Sequence, residues 1–156
     1  MVEDDVQLFA IVAFMIVLPI SSILVEVFSS QSDLASSATK WFVFWSVGAR
    51  LFSAGIRQVT KPEFTAKEIF EIGDPAASKL VVELGFGNLA IGLVGLLSLW
   101  FSGWIVPAAV AGALFFGLAG IQHVRNRDLN SKEKLAMWSD LYIAAVLAAC
   151  LIALAV

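Results

Sequence analysis

Seven side chains in this sequence are of the types that handle charge or protons: Arg50, Arg57, Gln58, Glu83, Asn88, His123 and Asp140. What they can do depends on what surrounds them. A carboxylate held away from water either carries a proton or sits in an ion pair, and an arginine there holds an anion or the polar head of a ligand. Other chemistry finds little support. One histidine with two acids is a thin ligand set for a metal. A single cysteine, Cys150, excludes a C-x-x-C redox pair and a C-x-x-C-H haem attachment. No Ser–His–Asp spelling has a helix geometry behind it. The expected site therefore binds a ligand or moves a proton, with no catalytic residue and no metal, and its cofactor is left open.

The surroundings follow from composition. A globular domain is about half apolar and a quarter charged, whereas this chain of 156 residues is 60% hydrophobic and 15% charged, with a mean hydropathy of +0.89. A soluble fold this small keeps too much of its surface in water to hide so many apolar residues. They also come in long blocks, which neither a helical stripe nor strand alternation produces. Net charge is −3, with no basic cluster among aromatics, so nucleic acid is excluded as a partner. The stretch KLVVELGFGNLAIG at 79–92 contains a G-x-G-x-x-A spelling like that of a dinucleotide-binding turn. That fold needs an acid about 20 positions on, and no ionisable side chain follows Glu83 before His123. The glycines belong to helix packing.

An all-α, polytopic membrane bundle results, a single domain over 1–156 in contact with the lipid bilayer. A span takes roughly 20 apolar residues, and five stretches qualify, about 6–28, 40–58, 78–101, 104–124 and 135–156. The first has an acidic flank, VEDD, and an apolar core longer than that of a signal peptide. Lys and Arg set the orientation. Arg57, Lys61, Lys67 and Lys79 in one loop, with Arg125, Arg127, Lys132 and Lys134 in another, face Lys40 alone on the other side. The N-terminus is thereby expected inside, in a multi-pass protein of the cell membrane. Trp41, Trp45, Trp100 and Trp104 then make an outer aromatic belt, and residues 63–72, with Phe64, Ile69 and Phe70, suggest a short helix on the inner surface.

Membrane helices associate over small residues. Gly85, Asn88, Gly92 and Gly95 share one face of the third span, while Glu83 and Gly87 lie nearly opposite, which points to a central helix with neighbours on both sides. Ala109, Ala113, Gly117 and Gly120 make a small face on the fourth. Arg57, Gln58, Glu83, His123 and Asp140 fall in one inner layer, with Arg50 and Asn88 just above it. Glu26 belongs to the other side, and Pro19 should free a carbonyl near Met15. Arg50 can neutralise Glu83, which is the structural reading of the layer: an ion-pair lock.

RLFSAGIRQVTKPEF, followed by VVELGFGNLAIGLVGLL and a small-residue helix ending near His123, resembles the DoxX-like family of small membrane proteins. The matching positions are Arg50, Gly55, Pro62, Phe64, Glu83, Gly87 and Gly92, within residues 40–124. The family's usual lysine after the second helix reads Arg57-Gln58 here, and the first helix is an addition. Some members are subunits of quinone-linked sulfur oxidation and others are accessory or chaperone-like partners. The resemblance implies an accessory role. The leading expectation is an accessory or ligand-binding subunit that holds an amphipathic molecule, a quinone or a lipid, and that pairs with a second copy or a membrane partner protein. The rival is a proton-coupled transporter using Glu83 or Asp140.

Overall fold

Helices begin where a side chain takes up the free N–H groups of the first turn, and the caps of this chain set its elements. The structure is a computed structural model and describes residues 8–69, 72–126 and 128–156. Helix α1 is Leu8–Ser30. Helix α2, over 34–60, starts after Asp33, which accepts from Ser36 N at 2.9 Å. A short helical stretch, α3, covers 62–69. Helix α4, Pro75–Leu97, is capped by Asp74 through Ala76 N at 2.8 Å. Helix α5 is Ile105–Arg125. Helix α6, Ser131–Ala155, opens on a capping box in which Asn130 and Glu133 bond each other's backbone N–H at 2.8 and 3.1 Å. Because of these caps α2, α4 and α6 begin at 34, 75 and 131 rather than at 40, 78 and 135. Positions 6 and 7, Phe70 and Arg127 lie outside the described residues.

Four helices among the described residues are long and apolar enough to cross a membrane: α1, α4, α6 and Ser102–Arg125, which adds a 3-10 turn to α5. The chain is an all-helical, multi-pass membrane protein. Helix α2 falls outside that set, being amphipathic and carrying Lys40, Arg50 and Arg57. Its place in the bundle explains this. Residues buried along it include Ser37, Thr39, Val43, Ser46, Val47, Gly48, Leu51 and Gly55, and it packs against α1, α4, α5 and α6. The central helix is therefore α2 and not α4, whose Glu83–Gly87 side is exposed. A helix walled by protein can hold polar groups that lipid would reject.

Helices α2 and α4 meet backbone to backbone. A Cβ at Gly92 would lie 2.5 Å from Phe52 N, and one at Gly95 would lie 2.7 Å from Gly48 N. The buried face of α4 is the one its small residues predict, Gly85, Asn88, Gly92 and Gly95. On α5 the tight positions are Gly112 and Gly120, against Val47 and Leu141. A Cβ at Gly117 would meet Ala144 at an ordinary 3.7 Å, so the expected close approach there is absent.

Both α1 and α2 contain a π-helical turn, Ala13–Val17 and Val43–Ala49. In that register the bonds run from residue i+5 to i, as Leu18 N–H to Ala13 O shows. Pro19, with no N–H to give, thus leaves Phe14 O, a carbonyl near Met15 as expected, without a donor in this register. Ser46 Oγ donates to Phe14 O at 3.0 Å and joins the two π turns. Farther along, Trp45 Nε1 donates to Ser22 Oγ at 3.0 Å, and Trp41 Nε1 to Glu26 Oε2 at 2.6 Å. These two tryptophans tie α1 to α2, while Trp100 and Trp104 are exposed at the α4–α5 turn.

Candidate functional site

The tight pairs α2–α4 and α5–α6 do not close on each other along their whole length. Near the end of the bundle where α4 and α6 begin, a cavity of about 570 Å³ remains between them. Helix α1 adds Ile11 and Phe14 to its wall, and α3 adds Phe64 and Thr65. The expected surface helix thus turns back onto the bundle, with Thr65 and Ala66 buried and Ala66 clustered with Ala77 and Val81 of α4.

Six of the seven polar residues singled out by sequence line this cavity: Arg50, Arg57, Gln58, Asn88, His123 and Asp140. Shared depth on separate helices is the signal that finds them. The seventh, Glu83, is exposed on the far side of α4 and does not line it. Periodicity puts Glu83 opposite Asn88; the α2 contact takes the Asn88 face, so the Glu83 face is left outside.

The arginine expected to meet Glu83 meets Asp140 instead. Arg50 Nη2 donates to Asp140 Oδ1 at 2.9 Å and to Ser139 Oγ at 3.0 Å. The side chains of this pair are only 16% and 11% exposed. The Phe116 ring lies 4.8 Å from Arg50 Cζ and supports the guanidinium by cation–π contact. Arg50 comes directly after the π turn, and its N–H bonds back to Trp45 O. A π turn inserts an extra residue and so rotates the next stretch of helix about its axis.

Two atoms at this site are unfinished. Arg50 Nη1 and Asn88 Oδ1 are buried and have no hydrogen-bond partner among the described residues. Asn88 is 3% exposed, and its Nδ2 donates to Gln58 Oε1 at 2.7 Å. A buried cationic N–H without an acceptor is costly, so these atoms keep capacity for a further polar partner. Arg57 stands at the rim, 5.5 Å from the Phe64 ring. The aromatic wall of Phe14, Phe64, Phe115 and Phe116 is not legible in the sequence as part of a site, because apolar residues in an apolar chain carry no signal of their own. Among the described residues no group of three or more His, Cys, Asp or Glu could hold a metal.

Comparison with known proteins gives one match. A model described as "Family of unknown function (DUF6790)" covers residues 8–155. No curated protein matches, and neither does any solved structure. The DoxX-like resemblance gains no support from these comparisons.

Proposed function

Since the chain belongs to the DUF6790 family, whose function is unknown, we propose that it holds the polar head of an amphipathic small molecule, a quinone or a lipid, in the cavity beside Arg50. The observation that carries this reading is a cavity with two kinds of wall: aromatic and aliphatic over most of its surface, and polar around Arg50, Asn88 and Asp140. Ligand sites are mostly apolar with a few placed polar groups, and this one has buried polar atoms left over.

In this reading α2 is a fifth span, long enough at 1.5 Å per residue and shielded by the other helices. The N-terminus lies inside and the membrane is that of the cell. A cysteine at Ser131 should be shielded from an impermeant thiol reagent in intact cells, and one at Ser36 labelled; the reverse would overturn the orientation. The accessory role rests on the resemblance of residues 40–124 to the DoxX-like family.

The ligand reading is tested by extraction. Protein purified in mild detergent should carry an amphiphile near one equivalent, seen by mass spectrometry of an organic extract. Ala119→Trp, which fills the cavity from α5, should fold and lose it. Equal yields from both proteins would sink the reading.

A second reading is favoured by one residue. Asp140 is the carboxylate on the cavity wall among the described residues, which suits a proton-coupled carrier with Asp140 rather than Glu83 as the proton-bearing group. Proteoliposomes with an imposed pH gradient would show solute uptake that Asp140→Asn abolishes.

A further inference from the structure

We infer that the head taken by this cavity is an acid, borne on a single alkyl chain. The inference rests on the ligand-binding reading and narrows it to one chemical class.

Charge is the first argument. Among the described residues, the ionisable ones on the wall are Arg50, Arg57, His123 and Asp140. The two arginines outnumber the one carboxylate, so these side chains carry a positive charge in excess. Asp140 and Ser139 occupy Nη2 of Arg50, and Nη1 is the arm left free. A quinone carbonyl would accept from Nη1 and leave the excess charge in place. An oxyanion accepts the same N–H through a charge-assisted bond and cancels the charge, and both effects grow as water is excluded.

The second argument concerns the amide pair. Asn88 presents a free acceptor because its Nδ2 is given to Gln58. Rotating both amides by half a turn keeps their mutual hydrogen bond and turns the free Asn88 position into a donor. The pair can thus face the hydroxyl of a protonated acid or the oxygen of an ionised one. A group that is acceptor only, such as a quinone, uses half of that range.

Size is the third. At roughly 30 Å³ per water molecule, the 570 Å³ of the cavity equals about 19 water volumes. A methylene fills about as much space as a water. That is room within the wall for a head and one chain, running along Ile11, Phe14, Leu84 and Leu118.

Four probes test this on the full chain in detergent: hexadecanoate, hexadecyl phosphate, hexadecanol and a decyl-substituted benzoquinone, each titrated at pH 8 while binding and melting temperature are read. One or both acids should bind at least tenfold more tightly than the alcohol. Tighter binding of hexadecanoate would mark a free fatty acid as the source, and tighter binding of the phosphate a lipid-derived one; either supports the inference. Arg57→Gln, at the exposed rim and outside the Arg50–Asp140 pair, should weaken the acids several-fold and leave the alcohol unchanged. Equal binding of acid and alcohol, an Arg57→Gln variant that binds acids as wild type does, or a benzoquinone that outcompetes both acids would each overturn the acid head while leaving a ligand cavity intact. If no probe binds, the acid head and the ligand-binding reading fall together.

Discussion

Helix α2 carries a cation toward each end of the bundle, and the two cations are finished differently. Toward the end where α1 leads into α2, Lys40 pairs with Glu26, whose other oxygen accepts from the Trp41 indole at 2.6 Å. Both carboxylate oxygens are used, and the side chains are 20% and 25% exposed. Toward the other end Arg50 pairs with Asp140 deeper in the protein, and one guanidinium nitrogen is left without a partner among the described residues. The chemistry of the pairs is alike; their completeness is not. A closed pair ties two helices together, whereas an open one beside a cavity keeps bonding capacity for something else.

The largest effect should come from breaking the deeper pair. Arg50→Met or Asp140→Leu alone leaves a buried charge uncompensated, which costs roughly 3–5 kcal/mol in soluble proteins. The double variant should recover much of that loss. Melting temperatures of the four proteins in detergent give the coupling directly, and additive losses would mean that the pair is not one.

Next comes the seam that holds the half of α2 beside the cavity in place. Gly92→Leu forces a side chain into the Phe52 backbone, and overpacking of this kind costs typically about 1–3 kcal/mol. Because Phe52 is two residues from Arg50, the cavity should lose ligand affinity while the Glu26–Lys40 end stays intact. Gly103→Leu, with open space around it, should stay within about 0.5 kcal/mol of wild type. Equal stability of the two variants would refute the assignment of faces.

Breaking the shallower pair should matter less. Glu26→Gln still offers an oxygen to Trp41 and leaves Lys40 room to reach water, so the loss should be about 1 kcal/mol or less. A loss as large as that of Asp140→Leu would erase the distinction between the two regions. The smallest change is expected at Gln31, which ends α1 in the left-handed region at φ 49°. A glycine there avoids the Cβ clash, and Gln31→Gly should raise stability by about 0.5 kcal/mol. A fall in melting temperature would mean that the Gln31 side chain itself holds the α1–α2 turn.

Much of the site is legible in the order of the residues. Arg57, Gln58, His123 and Asp140 fall in one layer, with Arg50 and Asn88 just above it, when the apolar blocks are laid antiparallel, and all six line one cavity. The start of α6 is legible too, since N-S-K-E at 130–133 spells its capping box; counting apolar residues alone passes over it. Glu83 fails for a different reason. Helical periodicity says which residues share a face, but it does not say which face a neighbour will cover.

By itself the sequence determined the membrane setting, the all-helical class, the order of the helices and the depth of their polar groups. Each of these follows from local composition and from the 1.5 Å rise of a helix across a layer of known thickness. Only the tertiary structure decided that the most polar helix is the central one, that Asp140 and not Glu83 answers Arg50, and that a cavity stays open beside them. These depend on how each helix is rotated about its axis. That rotation is set by the closest fit available to the whole bundle, here the backbone contact of Gly92 and Gly95 with α2 and the π turn that re-aims Arg50. The small residues of α4 mark the face that makes the contact, but not the helix it meets, and the π turn has no spelling in the residues that form it.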